Sequence, residues 1–224
     1  MDELELRRSA REAALDYQAE IGRRELREEQ IKGLMRELAH RAKNVLAVVQ
    51  AIARETTPGG MASALSGRIA SLACTHDLIA EKHWRGAHFR ELVSRQVGYL
   101  VDRGAHRVDL SSPDFLMEPS AAQHVGMALH ELCVNAAQHG ALLQPAGKVF
   151  FSWKWDGQVT GRPRLHLSWA ETNGLPAKMP ERKGFGSLVL ERLAPEGLGG
   201  SATLVFRPDG AAWLCEVPGA KMLA

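Results

Sequence analysis

The chain has 224 residues, 45% hydrophobic and 24% charged, enough apolar matter for one or two real cores and too little excess charge for global disorder. Its 28 basic and 26 acidic side chains leave a formal charge of +2, too balanced to advertise a nucleic-acid or lipid binder. No apolar run approaches the roughly 20 residues that span a bilayer, and the opening MDELELRRSA carries no apolar leader segment. The expectation is therefore a cytoplasmic protein without a membrane segment. Cys74, Cys133 and Cys215 lie far apart without CxxC spacing and read as reduced core thiols.

Residues 1–32 hold nine acidic and seven basic residues and no proline, the pattern of a well-solvated helical arm. From Ile31 the apolar steps tighten: Ile31, Met35, Leu38, Ala42, Val45, Val49 and Ile52 form a heptad-like seam. Thr56-Thr57-Pro58-Gly59-Gly60 ends that helix. A second helix follows, with Leu65, Ile69, Leu72 and Ile79 on one stripe, stopping near Arg85-Gly86. Two such helices make a hairpin whose thin core predicts a homodimer closing a four-helix bundle.

Beyond Gly86 the texture becomes mixed. Phe89 to Val101 reads as a helix, and Val108–Leu110 and Phe115–Met117 read as short strands. Residues 119–139 form a strong helix, and Val149–Trp155 and Arg164–Trp169 alternate as strands. A Gly/Pro-containing loop spans 172–183, and Gly186–Leu193 is helical. Ala202–Arg207 and Ala212–Val217 pair through Pro208-Asp209-Gly210.

Four places carry chemistry. His40 lies two positions from both Leu38 and Ala42, roughly half a turn off the seam, so it faces solvent with Lys43 and Asn44 beside it. A neutral, exposed imidazole is a fair nucleophile, although the same pattern also describes an ordinary surface histidine. Glu131, Asn135 and His139 recur every fourth residue on one helical face, opposite Val125, Ala128, Leu132 and Ala136. A carboxylate and an amide carbonyl one turn apart suit Mg²⁺, which takes only one or two protein oxygens; a plain solvated face reads the same way. Trp169-Ala170-Glu171 puts a carboxylate at a strand end, where it can accept from an exocyclic amine. Gly184-Phe185-Gly186-Ser187 opens a helix whose backbone N–H groups can approach phosphates, as a simple turn or cap also would.

In this order the residues from about Leu34 to Pro218 resemble the kinase core of the HWE-type sensor histidine kinases. Glu37-Leu-x-His40-Arg-x-Lys43-Asn44 is similar to the family's phospho-acceptor box, and His130-Glu131 through Asn135 to Gly140-Ala141-Leu142 to its N box. Trp169-Ala-Glu171 resembles the Trp-x-Glu of the family name, and Gly184-Phe-Gly186-Ser a glycine box, with Leu198-Gly-Gly200 and the last hairpin also fitting. The resemblance implies an α+β chain: a charged arm at 1–30, a dimerisation and histidine-phosphotransfer hairpin at 31–86, and a Bergerat-type ATP-binding α/β sandwich at 87–224. It implies autophosphorylation on His40 and transfer to an aspartate of a response-regulator receiver domain. It further implies that Asn135 holds Mg²⁺, that Glu131 polarises water or helps activate the nucleophile, and that Glu171 reads the adenine amine. Gly184, Gly186 and His139 complete the ATP pocket; His130 matches the family's His with no role attached. Three residues depart from the pattern: Gln138 where a Lys is common, and Asn173 and Leu175 in the glycine-rich stretch. The alternative is a non-catalytic phosphotransfer or docking relative, against which the retained Glu131, Asn135, Glu171 and both glycines argue. An ATPase of the chaperone or mismatch-repair type leaves His40 on its heptad helix unexplained.

Overall fold

The computed structural model describes residues 17–18, 20–35, 60–82, 84–101, 108–110, 114–156, 163–177, 183–219 and 222–223. The chain divides into two compact units, Met1–Val45 and Leu46–Ala224. In the first, residues 20–35 form helix α1, laced by the exposed pairs Arg23–Glu20, Arg24–Glu20 and Lys32–Glu29 at three- and four-residue spacing. Such pairs add a few tenths of a kcal/mol each. Ile31 and Met35, the head of the expected seam, are exposed on it. The rest of that seam, and His40, lie outside the described residues.

The second unit is built on a five-stranded sheet of order β2-β4-β5-β7-β6. Its strands are β2 (Val108–Leu110), β4 (Lys148–Asp156), β5 (Arg164–Thr172), β6 (Ser201–Arg207) and β7 (Gly210–Pro218). Among the described residues only the β2–β4 pair of this sheet is parallel. A small second sheet joins β1 (Ala87–His88), β3 (Leu116–Met117) and β8 (Met222–Leu223). Alternation supplies the core: Val149, Phe151 and Trp153 of β4 are buried, as are Leu165, Leu167 and Trp169 of β5 and Trp213, Cys215 and Val217 of β7. In register, Phe151 faces Trp169 and Trp169 faces Trp213, so one side of the sheet is an aromatic floor.

Helices cover that floor. They are α2 (Gly60–Glu81), α3 (Phe89–Val101), α4 (Pro119–Gln138) and a bent helix over residues 185–198. Phe89 stacks on Phe115 at 4.8 Å and lies 4.4 Å from Trp153, fixing α3 on the sheet. The bent helix comprises α5 (Phe185–Leu188), a π-turn (Val189–Leu193) and α6 (Ala194–Leu198). It runs past the expected end at Leu193 because Pro195 is accommodated in the first turn of α6 rather than stopping the helix. Proline has no N–H to give the Leu190 carbonyl, and Trp213 Nε1 donates to that oxygen instead at 2.9 Å. No helix among the described residues is long and apolar enough to cross a membrane.

α2 packs onto α3 and α4 of its own unit. Its stripe is spent there in part: Ile69 and Ile79 are buried, Leu72 is half-buried and Leu65 is exposed. A Cβ on Gly126 would fall 2.4 Å from Thr75 Oγ1, so the α2–α4 crossing requires glycine. Beside it Gln96 Nε2 donates to Ser71 O and Thr75 Oγ1, while Ser71 Oγ donates to Gln96 Oε1. All three side chains are buried, so each depends on the others for its hydrogen bonds. Replacing Gln96 by Leu leaves the two hydroxyls without that partner and should cost on the order of 1–3 kcal/mol, read as a lower denaturation midpoint with unchanged slope.

Two core thiols give a second expectation. Burial pushes Cys133 and Cys215 up to about 12 from an ordinary 9.0, with Glu216 adding to the effect at Cys215. The folded thiols therefore stay protonated where unfolded ones ionise, and stability should decline as pH rises from about 9 towards about 12. At pH 8 a disulfide reagent should modify both only after denaturant is added; immediate reaction of the folded chain would contradict their burial.

Candidate functional site

α4 is the spine of the site. Val125, Ala128, Leu132 and Ala136 are buried on the sheet side, as the periodicity predicts. Along the other stripe Glu131 is buried, Asn135 half-buried and His139 exposed, so the stripe emerges from the interior towards the helix C-terminus. His139 caps that end, its N–H donating to Asn135 O.

Glu131 is 3% exposed, and its carboxylate is held by a residue the sequence reading did not include. Arg68 of α2 donates from Nε to Oε1 at 2.6 Å and from Nη2 to Oε2 at 3.1 Å. The same guanidinium lies over the Phe185 ring, 4.6 Å from its centroid. Nothing local announces Arg68, which is 63 residues from its partner in sequence. His130, left without a role by the sequence, packs beside α2: a Cβ on Gly67 would lie 3.4 Å from its ring. Burial pushes the His130 imidazole below its usual value; Glu131 opposes that shift and Arg68 reinforces it.

Gly186 brings the bent helix against this stripe. A Cβ there would sit 2.8 Å from Glu131 Oε2 and 3.9 Å from Asn135 Nδ2. Gly184 is exposed at the N-cap of α5, with open space around it. Glu131, Asn135, Gly184 and Gly186 thus come to one place. The side chain of Asn135 is bonded to none of the described residues, and among them no three His, Cys, Asp or Glu side chains cluster as a metal site would need. Any divalent ion here would take a single amide oxygen from α4 and the rest from a phosphate ligand and water, a set that suits Mg²⁺.

Glu171 lies apart from that group, on the inner face of β5. The strand runs on to Thr172 and pairs Glu171 with Val149, which makes the residue the next inward position after Trp169. Its Oε2 accepts the N–H of Ala141 at 3.0 Å and of Ala211 at 3.4 Å, and Trp169 Nε1 lies 3.5 Å from Oε1. A Cβ on Gly140 would come within 2.3 Å of Oε2, so the turn after α4 closes over the carboxylate. Gly210, at φ +145°, brings the β6–β7 turn against its Cβ. The carboxylate therefore ties two loops together and retains acceptor capacity on Oε1. Of the departures, Gln138 and Leu175 are exposed, and Asn173 takes a left-handed conformation at φ +55°, which Asn tolerates better than most residues.

A helical layer on a mixed sheet is the fold of histidine kinase catalytic domains. The histidine kinase domain of a blue-light-activated histidine kinase from Erythrobacter litoralis shares it: TM-score 0.53 and 19% identity over 86% of this chain and 94% of that one. Residues 37–114 match the model of the HWE histidine kinases. It is 33% identical over 191 residues to a blue-light-activated histidine kinase of Rhizobium johnstonii, covering 84% of this chain and 53% of that protein. A protein of the same name from Brucella abortus is 29% identical over 78% of this chain and 37% of its own length. The chain thus spans about half, or less, of these relatives.

Gly186→Ala should push a methyl group into the Glu131 carboxylate and part the bent helix from α4. Overpacking of this kind costs about 1–3 kcal/mol, and calorimetry should show ATP affinity falling about tenfold or more, with the fold retained.

Proposed function

We propose that the chain is an ATP-dependent autokinase that phosphorylates its own His40 and passes the phosphoryl group to an aspartate of a response-regulator receiver domain. The observation that carries this reading is Asn135, half-buried one turn beyond Glu131 and facing Gly186 across the start of α5. Phosphoryl transfer through a loose transition state asks for positioning and charge compensation more than for covalent help. Asn135 would hold Mg²⁺, which when bound neutralises charge on the transferring phosphate. Gly184 and Gly186 leave backbone N–H groups free to meet phosphate oxygens, and His139 stands at the rim. Glu131 orients and polarises the acceptor imidazole or water. Glu171, through its freer oxygen, accepts from the adenine amine.

In this reading residues 1–30 are the arm, 31–86 the acceptor hairpin and 87–224 the ATP-binding domain, so α2 is the hairpin's second helix. Two copies pair through the hairpin, for which Leu65 and part of Leu72 remain available on α2. The receiver domain is met by the acceptor helix, because His40 must reach both phosphate donor and aspartate.

Incubation with γ-labelled ATP and Mg²⁺ should give acid-labile label on the wild-type chain. His40→Gln should abolish it without loss of ATP binding, and label persisting on that variant would sink the assignment. Asn135→Ala should slow labelling about 100-fold, the loss expected when several kcal/mol of charge stabilisation go. Glu171→Ala should bind ATP and GTP alike.

A further inference from the structure

Arg68 touches both Glu131 of α4 and Phe185 at the start of the bent helix. Its fork closes on both oxygens of the buried Glu131, and its flat face carries Phe185, which stands between Gly184 and Gly186. It arrives from α2, which the proposed reading assigns to the acceptor hairpin and not to the ATP-binding domain. Arg68, Glu131 and Phe185 line a cavity of about 190 Å³ together with Leu65, Ile69 and Leu72. The side chain of Arg68 is 30% exposed and that of Glu131 4%, so the carboxylate end of the pair lies largely out of water.

We propose that Arg68 is a latch: while its guanidinium forks Glu131 and covers Phe185, α2 holds the site in a closed, catalytically withheld state, and phosphoryl transfer requires the fork to open. The inference rests on the reading of Glu131 as the group that activates the acceptor. With both of its oxygens committed to the guanidinium, the carboxylate has its hydrogen-bonding edge taken up. Any shift of α2 across α4 breaks two charge-assisted bonds and the ring contact together, so the position of the hairpin helix is coupled to the state of the carboxylate. Arg68 acts through Glu131 and is a positioning residue. Lys in its place would keep the charge but could not grip both oxygens or lie flat on Phe185.

The test uses the full chain. Initial rates of acid-labile labelling are compared for wild type, Arg68→Gln, Arg68→Lys and Arg95→Gln. The last removes a different ion pair, Arg95–Glu81 between α3 and α2, without touching Glu131. The latch predicts a rise of about fivefold or more for Arg68→Gln, the range of a typical coupling between sites, a smaller rise for Arg68→Lys and none for Arg95→Gln. An Arg68→Gln rate at or below wild type with unchanged melting overturns it. So does an equal rise in Arg95→Gln, which would trace the effect to a loosened α2. Should Arg68→Gln fail to fold, Arg68→Lys decides, and no rise there overturns the latch. If no chain labels at all, the kinase reading falls and hydrogen exchange decides the latch. Faster exchange at residues 63–72 and 185–193 together in Arg68→Gln upholds it, and unchanged exchange overturns it.

Discussion

A carboxylate taken out of water must find charge or hydrogen bonds to replace its hydration, or it will not stay there ionised. Glu131 meets that demand with one guanidinium, and the arrangement around the site follows from it. Arg68 can reach Glu131 only if α2 crosses α4 closely, which Gly126 permits by admitting Thr75. The bent helix can approach the same carboxylate only because Gly186 has no side chain. Three elements distant in sequence are thus brought to one pair of oxygens.

Glu171 solves the same problem in another way. Among the described residues it has no cationic partner and takes two backbone N–H groups instead, from the turn after α4 and from the start of β7. Backbone donors cannot swing away as a side chain can, so this carboxylate is a fixed fastener, whereas the Arg68–Glu131 pair can open by rotation of a long side chain. The two buried acids consequently suit different work. One holds the frame of the pocket and offers a remaining oxygen; the other can exist in held and released states.

The attachment of α2 rests on packing and on buried polar contacts more than on surface charge. Arg95 with Glu81 and Glu91 is partly exposed, and such pairs contribute little in water. Ser71, Thr75 and Gln96 exchange their hydrogen bonds out of reach of solvent, and Leu78 and Ile79 are wholly buried beside them. The C-terminal half of α2 is therefore the firm end. Towards the N-terminus it meets the rest of the unit chiefly through Ile69, Gly67 against His130 and the Arg68 fork, so that is where a shift of the helix would begin.

Periodicity by itself determined most of the elements. The inward alternation of β4, β5 and β7, the buried stripe of α4 and the final hairpin are local properties, written in the spacing of apolar side chains. The stripe of Glu131, Asn135 and His139 was legible for the same reason, since one helix carries all three. Strand and helix ends were less legible: β5 runs to Thr172 because Glu171 finds backbone donors on neighbouring loops, and the bent helix continues through Pro195 because Trp213 takes up the freed carbonyl. The partner of Glu131 could not be read at all. Arg68 is one of many basic residues in the chain, and only the crossing of α2 over α4 brings its guanidinium to a carboxylate 63 positions away. Sequence spacing governs what a single element presents; which charges meet across elements is decided by how those elements pack.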